Sequence, residues 1–170
     1  QAFERYCRAF EVPLAARMTE MSHGQQKKVV ISFALATNAS LVLMDEPTNG
    51  LDIASKNQFR KVIAGAIEEQ KCFLISTHQV KDLDQLIDRI LVIDEGRILF
   101  DQGLDAVTEK LLFKFSVDAI DEELAIYSES SFRGSAHILP NYLQQESRPD
   151  LEMLYKAINH DEKTINAHFK

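Results

Sequence analysis

Two neighbouring carboxylates, Asp45 and Glu46, stand directly after an apolar run, Leu41 to Met44, and directly before Pro47, Asn49 and Gly50. The run reads as a short, fully buried strand of the parallel-sheet kind. The proline, asparagine and glycine force the chain to turn after it. In open α/β sheets ligands sit in the crevice beyond the carboxyl ends of the strands. Acidic groups held there on a rigid apolar stem have the character of a metal and general-base station; the plainer reading is a strand that ends in an acidic turn. A second apolar run, Phe73 to Ile75, leads into Ser76, Thr77 and His78, which places an imidazole on the same carboxyl edge. A histidine alone in a loop is otherwise solvated or satisfied by the core. Upstream, Ser22 and Gln25 have the S-x-x-Q spacing of a capping box. The helix start they imply presents unpaired N–H groups and a positive dipole end, which suit an anion. Its plainer reading is a well-capped core helix.

The elements that must hold these groups are legible from spacing. Residues 1–10 fit a helix with Phe3, Cys7 and Phe10 on one face, broken by Pro13. Val29 to Ala36 is apolar except for Ser32, so the helix after Ser22 is expected to be buried on most sides. Residues 54–69 form the cleanest amphipathic pattern, with Phe59, Val62, Ile63, Ala66 and Ile67 on one stripe, and serve packing alone. Asp52 stands where it can cap that helix. A short helix is expected over 81–88, then a hairpin of Ile90–Ile93 and Ile98–Phe100 with Gly96 supplying the sharp turn. Beyond Gly103 the chemistry-bearing patterns stop. Leu104–Leu112 reads as a helix and Leu112–Val117 as a half-buried strand. The stretch 118–129 is acidic, Arg133-Gly134 marks a turn, and His137–Leu139 reads as a strand. Leu151–Ile158 reads as a last helix, with a solvated tail after it.

Composition limits the possibilities. A chain of 170 residues with 45% apolar and 26% charged residues is ordinary for one soluble domain with a core and a small appendage. A net charge of −7 argues against nucleic acid as a partner, which would need a basic face. No run approaches the ~18 apolar residues of a membrane-spanning helix, so any action at a membrane is expected through a partner. Cys7 and Cys72 lie far apart without metal-type spacing and are expected to be reduced thiols of a cytosolic protein. None of Gly24, Gly50, Gly65, Gly96, Gly103 and Gly134 is followed by lysine, so the chain holds no G-x-x-x-x-G-K-[ST] phosphate cradle. Together with a first residue that is not methionine, this gives the expectation of the later part of a longer protein.

The order MSHGQ, LVLMDEP, NGLD, STH resembles that of the ATP-binding-cassette (ABC) ATPases, the nucleotide-binding subunits of ABC transporters. The family usually has a signature LSGGQ, a Walker B strand, a D-loop and a switch histidine in that sequence. The resemblance covers roughly residues 1–103, and more weakly the remainder. It implies an α/β fold of the P-loop NTPase kind, an incomplete, mostly parallel sheet with flanking helices. Residues 1–24 would end the α-helical subdomain and carry the signature, 25–103 would be the later part of the ATPase core, and 104–170 a small α+β extension. It implies ATP and Mg2+ as cofactors, Asp45 toward the metal, Glu46 as the base that polarises the attacking water, and His78 on the γ-phosphate. Ser22, Gly24 and Gln25 would face the nucleotide of a second nucleotide-binding subunit. Asp52 either caps its helix or reaches across that dimer. His23 departs from the usual glycine of the signature, and its ring could itself address a phosphate. The implied partners are transmembrane permease subunits, and the implied place is the cytoplasmic face of the membrane. The DEGRILFDQG segment resembles the closing strands of the family, and the residues after Gly103 resemble the short carboxyl-terminal extensions of some bacterial exporter-type subunits. The other readings are a non-transport ABC ATPase of the DNA-maintenance or translation-factor kind, against which the lack of heptads and of a second cassette speaks, and a non-enzymatic partner.

Overall fold

A computed structural model describes residues 1–68, 70–83, 86–117 and 124–170. It divides into two compact units, Gln1–Leu86 and Ile87–Lys170. The division falls before the 90–100 hairpin, which the sequence pattern alone groups with residues 25–86.

In the first unit α1 (Ala2–Ala9) buries Tyr6 and Cys7, and Phe10 follows them into the interior. Phe3 meets Phe33 edge-on with ring centroids 6.4 Å apart. Helix α2 (His23–Ala36) starts at Ser22 as its sequence predicts and buries Ile31, Ser32 and Leu35. The Ser32 hydroxyl donates to the Lys28 carbonyl at 2.7 Å, so its burial leaves no polar atom unpaired. The expectation of burial on most sides is corrected, because Val30 and Phe33 remain exposed. Strand β1 (Leu41–Asp45) pairs in parallel with β2 (Cys72–Ser76), in a register that sets Leu43 beside Leu74 and Asp45 beside Ser76. Between them α3 (Ile53–Ala64) buries Phe59, Val62 and Ile63; it ends at Gly65, short of the predicted residue 69.

The strands also depart from the predicted full burial. Val42 and Met44 are buried, whereas Leu41 is 56%, Leu43 66% and Leu74 47% exposed. Alternate side chains of a strand point to opposite faces, and only one face of this pair is covered. The expected helix over 81–88 is a single 3₁₀ turn, Val80–Asp82; residues 84 and 85 lie outside the described residues.

The second unit opens with β3 (Arg89–Asp94) and β4 (Arg97–Gly103), an antiparallel hairpin with a register shift between Val92 and Ile93. Its two-residue turn has positive φ at both Glu95 (45°) and Gly96 (73°), the handedness that matches the twist of a hairpin. Helix α4 (Leu104–Lys110) leads to a three-stranded antiparallel sheet of β5 (Leu111–Ser116), β6 (Tyr127–Ser131) and β7 (Gly134–Pro140), with β7 central. Of the acidic stretch, residues 118–123 lie outside the described residues. Helices α5 (Leu151–His160) and α6 (Glu162–Ala167) close the unit. Val92, Phe100, Val107, Leu111, Ile138, Met153, Leu154, Ala157, Ile158 and Ile165 pack into one core. The predicted solvated tail is corrected here. Ile165 is buried, the Asn166 side chain donates to the Leu99 carbonyl at 2.9 Å, and Phe169 meets Phe100 edge-on at 5.3 Å.

Candidate functional site

The parallel pairing of β1 with β2 brings the two carboxyl ends together. The ladder runs one residue past β1, where the Glu46 N–H donates to the Ser76 carbonyl at 2.9 Å. At the last paired level the Ser76 hydroxyl donates to Asp45 Oδ1. Glu46 then takes a left-handed backbone, φ 45°, an uncommon setting for a non-glycine residue, and the chain turns at Pro47. Its carboxylate meets the residues just beyond β2. Oε1 accepts the His78 N–H at 2.9 Å and stands 2.6 Å from His78 Nδ1. Oε2 accepts the Thr77 hydroxyl at 3.2 Å.

These contacts set the charge and the tautomer. Burial pushes the Glu46 carboxyl up, but the hydrogen bonds and charge of His78 and the Thr77 hydroxyl together outweigh it and hold the group below its ordinary value. It is therefore a carboxylate near neutrality. A carboxylate only accepts, so the His78 ring nitrogen facing it, Nδ1, carries a hydrogen. Its Nε2 stands 3.4 Å from the Gln79 side-chain amide nitrogen. Gln79 is in turn oriented by Lys56, whose Nζ donates to its Oε1 at 2.6 Å.

The start of α2 is built as its spacing predicts. Ser22 Oγ accepts the Gln25 N–H at 3.3 Å, and Gln25 Oε1 accepts the Ser22 N–H at 2.9 Å. That reciprocal pair satisfies two of the four amides a helix start leaves open; the other two belong to His23 and Gly24. Asp52 caps α3, its Oδ1 accepting the Ser55 N–H at 2.7 Å. That hydrogen bond holds the Asp52 carboxyl below its usual range.

One residue outside the motifs ties these parts together. Lys27, one turn into α2, places Nζ 2.5 Å from the Glu46 carbonyl and 2.9 Å from the Asn49 carbonyl. The start of α2 lies against the same turn. A Cβ added at Gly50 would stand 3.6 Å from His23 Nδ1, and one at Gly24 would stand 3.7 Å from Leu51 Cδ2. The available signal in the sequence was the i, i+4 spacing of His23 and Lys27, which sets them on one helix face. The structure thus brings together Asp45, Glu46 and His78, and rests the amino end of α2 on the turn beyond them. It does not join Ser22, Gln25 or Asp52 to the carboxylates, since their side chains cap their own helices.

Among the described residues no group of three or more histidine, cysteine, aspartate or glutamate side chains is arranged to hold a metal ion. Mg2+ commonly takes only one or two carboxylates and keeps several waters. The hard oxygens of Asp45 and Ser76 fit such an ion as part of a shared coordination shell.

Comparison with known proteins gives the following similarities. The family model described as ABC transporter matches residues 6–49. An uncharacterized ABC transporter ATP-binding protein of Methanocaldococcus jannaschii is 27% identical over 144 residues, 82% of this chain and 54% of its own length. The ABC transporter ATP-binding protein NatA of Bacillus subtilis is 37% identical over 93 residues, 55% of this chain and 38% of its own. The chain thus spans about half or less of the length of these relatives. By name, other matching relatives include a ribose import and a Nod factor export ATP-binding protein. Among solved structures, a dimeric bacterial ABC transporter cassette superposes with a TM-score of 0.53 at 23% identity, over 61% of this chain and 46% of that one. The fold is that of the ABC ATPase cassettes, represented in part.

Proposed function

We propose that this chain, which is similar to ABC transporter ATP-binding proteins and shares the cassette fold, is the later part of an ATP-hydrolysing subunit that drives an ABC transporter of the export type. The observation that carries the reading is the Glu46 carboxylate, kept ionised and aimed by His78 at the edge where β1 and β2 end. Glu46 accepts the proton of the attacking water. His78 orients that carboxylate through Nδ1 and, when its ring carries both protons, donates from Nε2 to the terminal phosphate. Asp45, with Ser76, contributes to the shell of Mg2+, which when bound neutralises phosphate charge. Ser22, Gly24 and Gln25 place the open end of α2 toward a nucleotide held by a second subunit, and Asp52 lies at that same boundary. Permease subunits supply the passage, and no described helix is long and apolar enough to cross a membrane itself. The subunit would sit peripherally at the cytoplasmic face.

The 170 residues by themselves are expected to turn over no ATP. A helix amino end contributes ~0.3–1 kcal/mol toward an anion, whereas even millimolar affinity needs about 4 kcal/mol. The test is ATP turnover with Mg2+, measured for these residues alone and within the longest natural chain that contains them. Turnover is expected only in the longer chain, with Glu46→Gln lowering it by ~10²–10⁴-fold. In that chain His23→Gly is expected to change the rate only modestly. Full turnover in the Glu46→Gln variant would remove the proposal.

A further inference from the structure

Glu46 pairs with His78 only while its backbone stays in the left-handed region, and such a conformation persists where surrounding contacts over-determine it. Beyond the residues at the end of β2 that meet it, the Lys27 ammonium of α2 also reaches it from outside the turn. The Glu46 carbonyl accepts both the Asn49 N–H at 3.2 Å and Lys27 Nζ at 2.5 Å. The same ammonium takes the Asn49 carbonyl at 2.9 Å. One cation therefore holds the main chain on either side of Pro47 and Thr48. It does so from the first turns of α2, whose starting residues His23 and Gly24 lie against Gly50 and Leu51.

We propose that Lys27 is a positioning residue. By gripping the Glu46 and Asn49 carbonyls it fixes the backbone that presents the Glu46 carboxylate to His78, and so makes the start of α2 and the carboxylate edge one mechanical piece. Its ammonium touches main chain alone, so it acts through Glu46 and takes no part in proton transfer. Displacing the start of α2 then moves the carboxylate. This rests on the reading that Glu46 and His78 are the working pair, but the coupling itself can be measured without nucleotide.

The experiment uses the 170-residue protein, with the Glu46 Cα and Cβ chemical shifts reporting its left-handed backbone and hydrogen exchange of the His78 amide reporting its bond to Glu46. The variants are Lys27→Met, which removes both bonds, and Lys27→Arg, which retains a cation able to reach two carbonyls. In Lys27→Met the Glu46 shifts are expected to move away from left-handed values. The His78 amide should exchange about tenfold faster or more, as the loss of one charge-assisted hydrogen bond implies. In Lys27→Arg both signals should return toward the parent. A merely structural lysine would lower thermal stability and leave both signals where they were. If Lys27→Met does not fold, Lys27→Gln gives the same readout with a smaller change. Unmoved Glu46 shifts and an unmoved His78 exchange rate in any folded variant without the cation overturn the proposal. Normal hydrolysis by Glu46→Gln in the longer chain would sink the functional reading and leave this mechanical link standing.

Discussion

Strands β1 and β2 cover one face and leave Leu41, Leu43 and Leu74 in solvent. The second unit instead packs residues of both its sheets and of α4, α5 and α6 into a single core. Hydrogen bonds are distributed in the opposite sense. In the first unit side-chain bonds converge on the turn after β1, from Ser76, Thr77, His78 and Lys27. In the second, polar side chains such as Asn166 and Asp150 mostly tie one element to the next or cap a helix. Both units bury apolar side chains; the contrast teaches that the edge carrying the chemistry is fixed by converging polar contacts, with one strand face left open beside it.

The largest effect that would sharpen this contrast is Leu154→Ala. Leu154 is 1% exposed in the second core, and the truncation should cost about 2–5 kcal/mol in denaturant unfolding. A cost below ~1 kcal/mol would show that the second core is not close-packed. Next, Ser22→Ala should remove ~0.5–2 kcal/mol by opening the capping box of α2. The loss should appear as earlier melting of the first unit alone.

A smaller effect comes from Glu46. Its carboxyl lies below its ordinary value in the folded protein, so folding favours the ionised form. That stabilisation is complete above the ordinary glutamate value and disappears as pH falls through the lowered folded value. Glu46→Gln should flatten the acid side of the stability profile of the first unit. A profile identical to the parent would mean that the His78 contact carries no weight in solution. Smallest of all, Leu43→Ala should change stability by no more than ~0.5 kcal/mol while reducing self-association in sedimentation, because an exposed strand face is adhesive. If it cost as much as Leu154→Ala, the comparison between the two units would break.

Much of this was legible in the residues. The Ser22 and Gln25 spacing names a capping box that forms with both its bonds, and two short apolar runs place Asp45, Glu46 and His78 on one edge because parallel strands end together. What was not legible depended on partners far along the chain. Four apolar residues in a row look buried on both faces, and nothing local says that Leu41 and Leu43 meet solvent. The grip of Lys27 is a tertiary contact of a long flexible side chain, and its spacing from His23 sets the helix face without naming the carbonyls it reaches. The helix after Asp161 is too short to show periodicity, so Ile165 and Phe169 pass for tail residues. The Asp161 cap, which accepts both the Lys163 and Thr164 N–H groups at 3.1 Å, was the one local hint.

The seating of Phe169 on Phe100 has a practical side. A protease that nicks the joint between His160 and Glu162 would pull a stopper from the interior, and the vacated hollow would take up a fluorescent dye such as ANS. Fusion tags and crosslinkers placed near Lys170 therefore belong behind a generous spacer, where they cannot pry that stopper loose.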